Sequence, residues 1–107
     1  MAIVFLSGPM TNEPHHREIF NFFEDLFEHV GYDVVNPVFI SDYIIKEHKI
    51  KPKDVWKDEY RDLFLREDVS LMVCCDAVVM LPNWKKSKGA KLEHKIAKLM
   101  GMEIFYV

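Results

Sequence analysis

At 107 residues, half of them apolar, the chain has room for one domain around one hydrophobic core, spanning residues 1–107. Its 14 Lys and Arg against 17 Asp and Glu leave a formal charge of −3, which offers no broad basic surface for a nucleic-acid polymer but admits a small anionic ligand. Histidines 15 and 16 are adjacent and His29, His48 and His94 are scattered, so metal-binding Cys/His spacing is missing and no metal or cofactor is expected.

In chain order, Ala2 to Leu6 is a continuous apolar run ending at Ser7-Gly8-Pro9, the pattern of a buried central strand followed by a tight turn. It lacks a basic leader and a cleavage site, and no stretch approaches the roughly 18 apolar residues of a membrane span. A soluble, unprocessed protein is expected. Ile19, Phe22, Phe23, Leu26, Phe27 and Val30 recur at helical spacing, with Thr11 or Asn12 to cap, Pro14 in the first turn and Gly31 as the stop. Tyr32 to Val35 reads as a second strand closed by Asn36-Pro37, because the residue before a proline avoids helical geometry. From Val38 to Pro52 the pattern is mixed, with a short helical turn at Ser41 to His48, and a mobile segment serving as a lid is expected there.

Asp54 is placed to cap a second long helix that carries Trp56, Tyr60, Leu63 and Phe64 and runs through Leu71-Met72. Cys74 and Cys75 are neighbours, which makes a disulfide between them geometrically implausible and suits a reducing cytoplasm. Ala77 to Leu81 is the clearest buried strand, and Pro82-Asn83-Trp84 turns the chain. Leu92, Ile96, Leu99 and Met100 give the stripe of a last helix, Gly101 ends it, and Glu103 to Val107 is the final strand. Apolar strands alternating with amphipathic helices predict an α/β fold, a Rossmann-like or flavodoxin-like three-layer sandwich with a four-stranded parallel sheet. Right-handed crossovers favour the order 2-1-3-4. Ligands of such sheets bind beyond the carboxyl ends of the strands, which here means Ser7 to Met10, Asn36-Pro37 and Leu81 to Gly89.

Three places in that region carry chemistry. The turn Ser7-Gly8-Pro9-Met10 allows close approach to the backbone, as a ligand-binding turn or as a plain β-to-α connection. At Lys85-Lys86-Ser87-Lys88-Gly89 a hydroxyl, three lysines and a helix start converge, which suits a phosphate, although Ser87 also reads as an ordinary N-cap. Glu93, about one and a half turns into the last helix, borders its sheet-facing stripe and is a candidate carboxylate nucleophile; a surface glutamate is the other reading. Asp68 sits about 7 Å from the carboxyl end of its helix by rise per residue. That brings it to a depth like that of Glu93, where one carboxyl can attack while the other binds or protonates the leaving group; Asp68 also reads as a helix-surface acid.

Phe5-Leu6-Ser7-Gly8-Pro9-Met10, Gly31 to Pro37, Trp56 with Tyr60-Arg61-Asp62, Cys75-Asp76-Ala77-Val78, and Ser87 through Glu93, taken in order and spacing, resemble the nucleoside 2-deoxyribosyltransferase superfamily over nearly the whole chain. The chain is most similar to a compact branch of uncharacterised phage and bacterial domains, and also to the 2′-deoxynucleoside 5′-monophosphate N-hydrolases. The resemblance implies cleavage of the N-glycosidic bond of a deoxynucleoside or its 5′-monophosphate, through a covalent deoxyribosyl ester on Glu93. It implies that Asp68 contacts sugar or base, that Ser87 binds phosphate as in the hydrolases, and that Phe5, Ser7, Gly8, Pro9, Met10, Asn36 and Gly89 lie around the substrate. A homodimer or larger homo-oligomer is implied as well. Phe5 stands where the family usually has a tyrosine whose hydroxyl orients the nucleophile, and Thr11 and Asn12 where the hydrolases have a phosphate-binding arginine. The transferases' C-terminal extension has no counterpart after Val107. A non-catalytic nucleotide-binding or sensing module of the same fold is the alternative.

Overall fold

The structure, a computed structural model, describes residues 2–11, 13–55 and 57–107. The cap expected of Asn12 and the helix position of Trp56 lie outside the described residues. Strands β1 (Ile3–Ser7), β2 (Asp33–Val35), β3 (Ala77–Met80) and β4 (Glu103–Tyr106) form an all-parallel sheet in the order β2-β1-β3-β4, as the alternation of strands and helices predicts. They are joined by α1 (His16–His29), α2 (Pro37–Glu47), α3 (Asp58–Met72) and α4 (Lys88–Leu99), with single 3-10 turns at Pro52–Asp54 and Trp84–Lys86. Among the described residues no helix is long and apolar enough to cross a membrane.

The two central strands are paired in register from Val4 opposite Ala77 to Ser7 opposite Met80. Because successive side chains of a strand point to opposite faces, the sheet builds two cores. On one face Val4, Leu6, Ala77, Val79 and Leu81 pack under Phe20 and Phe27 of α1. On the other, Phe5, Val78 and Met80 meet Met72 at the end of α3 and Ala90 and Ala97 of α4. Asp76 fixes the edge of this arrangement by accepting the Ile3 backbone N–H at 2.8 Å, just below the point where the ladder begins.

Several elements differ from the sequence expectation. Phe20 and Phe27 form the buried face of α1, whereas Phe22, two positions from Phe20 and so on the opposite side, is exposed, as are Leu26 and the C-cap residue Val30. Helix α1 begins at His16, after Pro14 and, among the described residues, without a side-chain cap. The mixed segment after β2 is an 11-residue helix rather than a short turn. Asn36 caps it by accepting the Val38 N–H at 3.0 Å, and Pro37 occupies its first turn, where a missing N–H costs nothing. Asp54 belongs to the 3-10 turn, so α3 starts at Asp58 behind Lys57. On α4, Leu92, Leu99 and Met100 are exposed, and the buried stripe is Ala90, Glu93 and Ala97.

Candidate active site

Glu93 reaches the sheet because its neighbours on the buried face of α4 are small. Ala90 and Ala97, one turn either side, let the helix approach the β1–β3 floor closely enough for a glutamate side chain to lie between them. There the Ser7 hydroxyl donates a 2.6 Å hydrogen bond to Glu93 Oε1, with both residues buried. Ser7 is itself held by β3, since its carbonyl accepts the Leu81 N–H at 2.8 Å. The following Gly8 packs against Leu81 so tightly that an added Cβ would lie 2.8 Å from the Leu81 Cβ. No larger residue fits there without displacing the strand end.

Asp68 comes from the last turns of α3 and opens onto the same cavity as Glu93, a space of about 700 Å³. Its Oδ1 is buried without a hydrogen-bond partner among the described residues. Burial raises the Asp68 carboxyl to about 8, helped by the charges of Glu93 and then Glu67. Burial also raises Glu93, to about 7, against the Ser7 hydrogen bond, which favours the ionised form. The order is physically consistent: Glu93 ionises first, and its charge then holds the proton on Asp68.

The rest of the cavity has distinct sides. Lys86, Ser87, Lys88 and Gly89 gather at the start of α4, where the helix dipole adds to the lysine charges. The Ser87 oxygen accepts the Ala90 N–H at 3.1 Å, so Ser87 is the N-cap and still has its own hydroxyl proton to give a ligand. Val38 and Ile45 of α2 and Phe64 and Leu65 of α3 give the cavity an apolar lining. Arg17 of α1 and Asp42 of α2 also line the cavity, joined in a two-point ion pair at 2.8 and 2.9 Å. That bond pushes the Arg17 guanidinium further above its ordinary range.

Of the residues singled out from sequence, Gly8, Met10, Asp68, Ser87, Gly89 and Glu93 line this one cavity. Ser7 lies behind Glu93 rather than on the wall, and Pro9 is outside the lining. Phe5 is fully buried in the core between Met72, Val78 and Ala97 and does not reach the cavity, because its side chain is covered by the α3–α4 packing. Asn36 is also structural: its oxygen caps α2 and its amide donates to Asn21 Oδ1 at 3.1 Å. Sequence reasoning missed Arg17, Asp42, Arg61 and the Ser7 contact. The first two meet only because α2 is a helix, and Ser7 is separated from Glu93 by 86 positions. The one local sign of the Ser7 contact was a polar residue closing an apolar strand.

A family model described as a domain of unknown function, DUF4406, matches residues 2–106. The chain belongs to the DUF4406 family. No curated protein and no solved structure matches it. The matched span contains every strand and helix of this DUF4406 domain, with both carboxyls and the Ser7 hydroxyl. Among the described residues only Glu24, Asp25 and Glu28 bring three ligand oxygens within 4.8 Å of one another; they lie on α1, away from the cavity. Cys74 and Cys75 are free thiols whose S–H groups donate to the carbonyls of Ser70 and Leu71.

Proposed function

We propose that this domain cleaves the N-glycosidic bond of 2′-deoxynucleosides or their 5′-monophosphates, with Glu93 as nucleophile and Asp68 as the acid that serves the leaving base. The observation that carries the reading is the pairing of two desolvated carboxyls of unequal environment in one cavity: Glu93 hydrogen-bonded to Ser7, and Asp68 with its Oδ1 buried and without a hydrogen-bond partner among the described residues. Two carboxyls whose surroundings separate their titration are suited to opposite roles.

In this mechanism a Glu93 oxygen forms a bond to C1′ of the sugar while the C1′–N bond breaks and its electron pair goes to the base. Asp68, still neutral beside ionised Glu93, supplies the proton that the departing nitrogen takes up. Water then displaces the ester oxygen at C1′ and returns its proton to Asp68, which makes the enzyme a hydrolase; a second base in place of water makes it a deoxyribosyltransferase. Lys86, Ser87 and Lys88 supply the charge and the hydroxyl that a 5′-phosphate needs, which supports a monophosphate substrate. A cytoplasmic setting and a homo-oligomer complete the proposal; the free thiols support the first.

The test is chromatography of free bases released from a panel of deoxynucleosides and their monophosphates, with Glu93→Gln alongside and a second base added in parallel. The expected result is release that drops at least about a thousandfold in the variant, as for loss of other covalent nucleophiles. Exchange into the added base marks transfer. If no substrate releases base while a nucleotide raises the melting temperature of both proteins, the domain is a nucleotide-binding module instead.

A further inference from the structure

We propose that Ser7 is the positioning residue of Glu93: its hydroxyl holds Oε1 throughout the reaction and leaves Oε2 as the one oxygen presented to the sugar. The proposal rests on the reading of Glu93 as nucleophile. It adds a selection that the carboxylate cannot make for itself, because a free carboxylate has two equivalent oxygens and rotates between them.

The geometry supports it from three directions. The 2.6 Å separation is in the range of O–H···O⁻ bonds to an ionised acceptor, with Ser7 as donor. The backbone that carries the donor is fixed, since Ser7 is in the β1–β3 ladder opposite Met80, its carbonyl is bonded to Leu81, and Gly8 after it is wedged against Leu81. The acceptor is fixed from the other side by the close seating of Ala90 and Ala97 on the sheet. Among the described residues no group donates to Oε2, and what little of Glu93 is exposed, 5%, opens into the cavity it lines. Ser7 does not line that cavity, so it acts on the substrate through Glu93 alone.

The bond then serves each step. As Oε2 forms its bond to C1′ and the base leaves with the C1′–N electron pair and the Asp68 proton, Oε1 becomes the carbonyl oxygen of the ester, still accepting from Ser7. When water attacks C1′, the C1′–Oε2 pair returns to Glu93, the water proton goes to Asp68, and Ser7 stabilises the restored negative charge. The other charged or titratable groups around the cavity are Asp68 and Arg61 on α3, Asp42 on α2, His16 and Arg17 on α1, and Lys86 and Lys88 at the start of α4. None of them is hydrogen-bonded to Glu93. Ser7 is the group whose removal changes its immediate contacts.

The experiment compares Ser7→Thr with Ser7→Val, which add the same bulk at a buried position and differ in the hydroxyl, and includes Ser7→Ala in case the larger side chains do not fold. Two readouts are taken: kcat and KM across pH, and the titration of Glu93 followed by carbon-13 NMR of labelled glutamate. Expected is that Val and Ala lower kcat about tenfold to a hundredfold with KM within about twofold, and shift the Glu93 titration and the acid limb of kcat upward, while Thr restores both. Val or Ala variants with wild-type kcat and an unmoved Glu93 titration overturn the proposal. If even the wild-type protein releases no base, the glycosidase reading falls separately. The NMR titration then still decides whether Ser7 holds the carboxylate: an upward shift in Ser7→Val supports it and no shift overturns it.

Discussion

A carboxyl buried without a donor is stable only when neutral, and Asp68 keeps its Oδ1 in that condition within a folded domain of 107 residues. The unfolded chain ionises Asp68 near its ordinary value of 3.8, whereas the folded chain holds the proton to about 8. Across that interval the folded state binds the extra proton, so its contribution to stability is complete below about pH 4 and is lost as pH rises towards 8. Asp68→Asn removes the ionisation while keeping the shape. Its melting temperature is expected to match the wild type near pH 4 and to exceed it at pH 8 by at least roughly 4 °C, the rise that recovering even about 1 kcal/mol gives a domain of this size. Thermal melts at the two pH values check this; an equal difference at both would mean that packing, not ionisation, sets the effect. The cost carried by Asp68 is of the kind that functional carboxyls bear.

Between residue and fold, the elements show why some of the structure was readable in advance. The strands were legible because buried parallel strands are continuous apolar runs, and Ala2 to Leu6 and Ala77 to Leu81 are the plainest such runs in the chain. Helix α2 was not, because Asn36-Pro37 carries two meanings: a proline closes the strand before it and equally opens a helix after it. The structure uses both, ending β2 at Val35 and opening α2 at Pro37 with Asn36 as cap. The buried face of α4 was hidden for a different reason. A search for apolar period finds Leu92, Ile96 and Leu99, of which only Ile96 packs against the core, whereas the buried centre of the face that meets the sheet is Ala90, Glu93 and Ala97, with an acid in its middle. Glu93 itself was legible as a candidate, and Asp68 from its depth on α3, but the contact that joins β1 to α4 left no sign beyond a polar residue closing an apolar strand. Asn36 gives the element-scale test. Asn36→Ala removes the α2 cap and is expected to cost about 1 kcal/mol, a fall of roughly 4–8 °C in melting temperature, with KM unchanged. A raised KM at wild-type stability would return Asn36 to the binding site.

For the whole molecule, the carboxyl pair exists only when three distant stretches assemble: β1 at the start of the chain, α3 in its middle and α4 near its end. Their packing buries Glu93 and most of Asp68, and that shared desolvation is the largest cause of each shift. Glu93 gives up its proton near 7, and Asp68, facing the new charge, gives up its own near 8. The form that the mechanism requires, Glu93 ionised and Asp68 neutral, is therefore most populated between those values. Base release is expected to follow a narrow bell in pH, falling towards tenfold per unit below about 7 as Glu93 protonates and above about 8 as Asp68 ionises. The alkaline limb belongs to the coupled pair, because Asp68 titrates against the charge already on Glu93. Asp68→Asn is expected to remove that limb from whatever rate remains and to leave the acid limb near 7, because Glu93 in the wild type already ionises beside a neutral Asp68. Initial rates from pH 5 to 10 measure both limbs, and a wild-type profile flat from pH 6 to 9 would mean that the rate does not turn on these two protons.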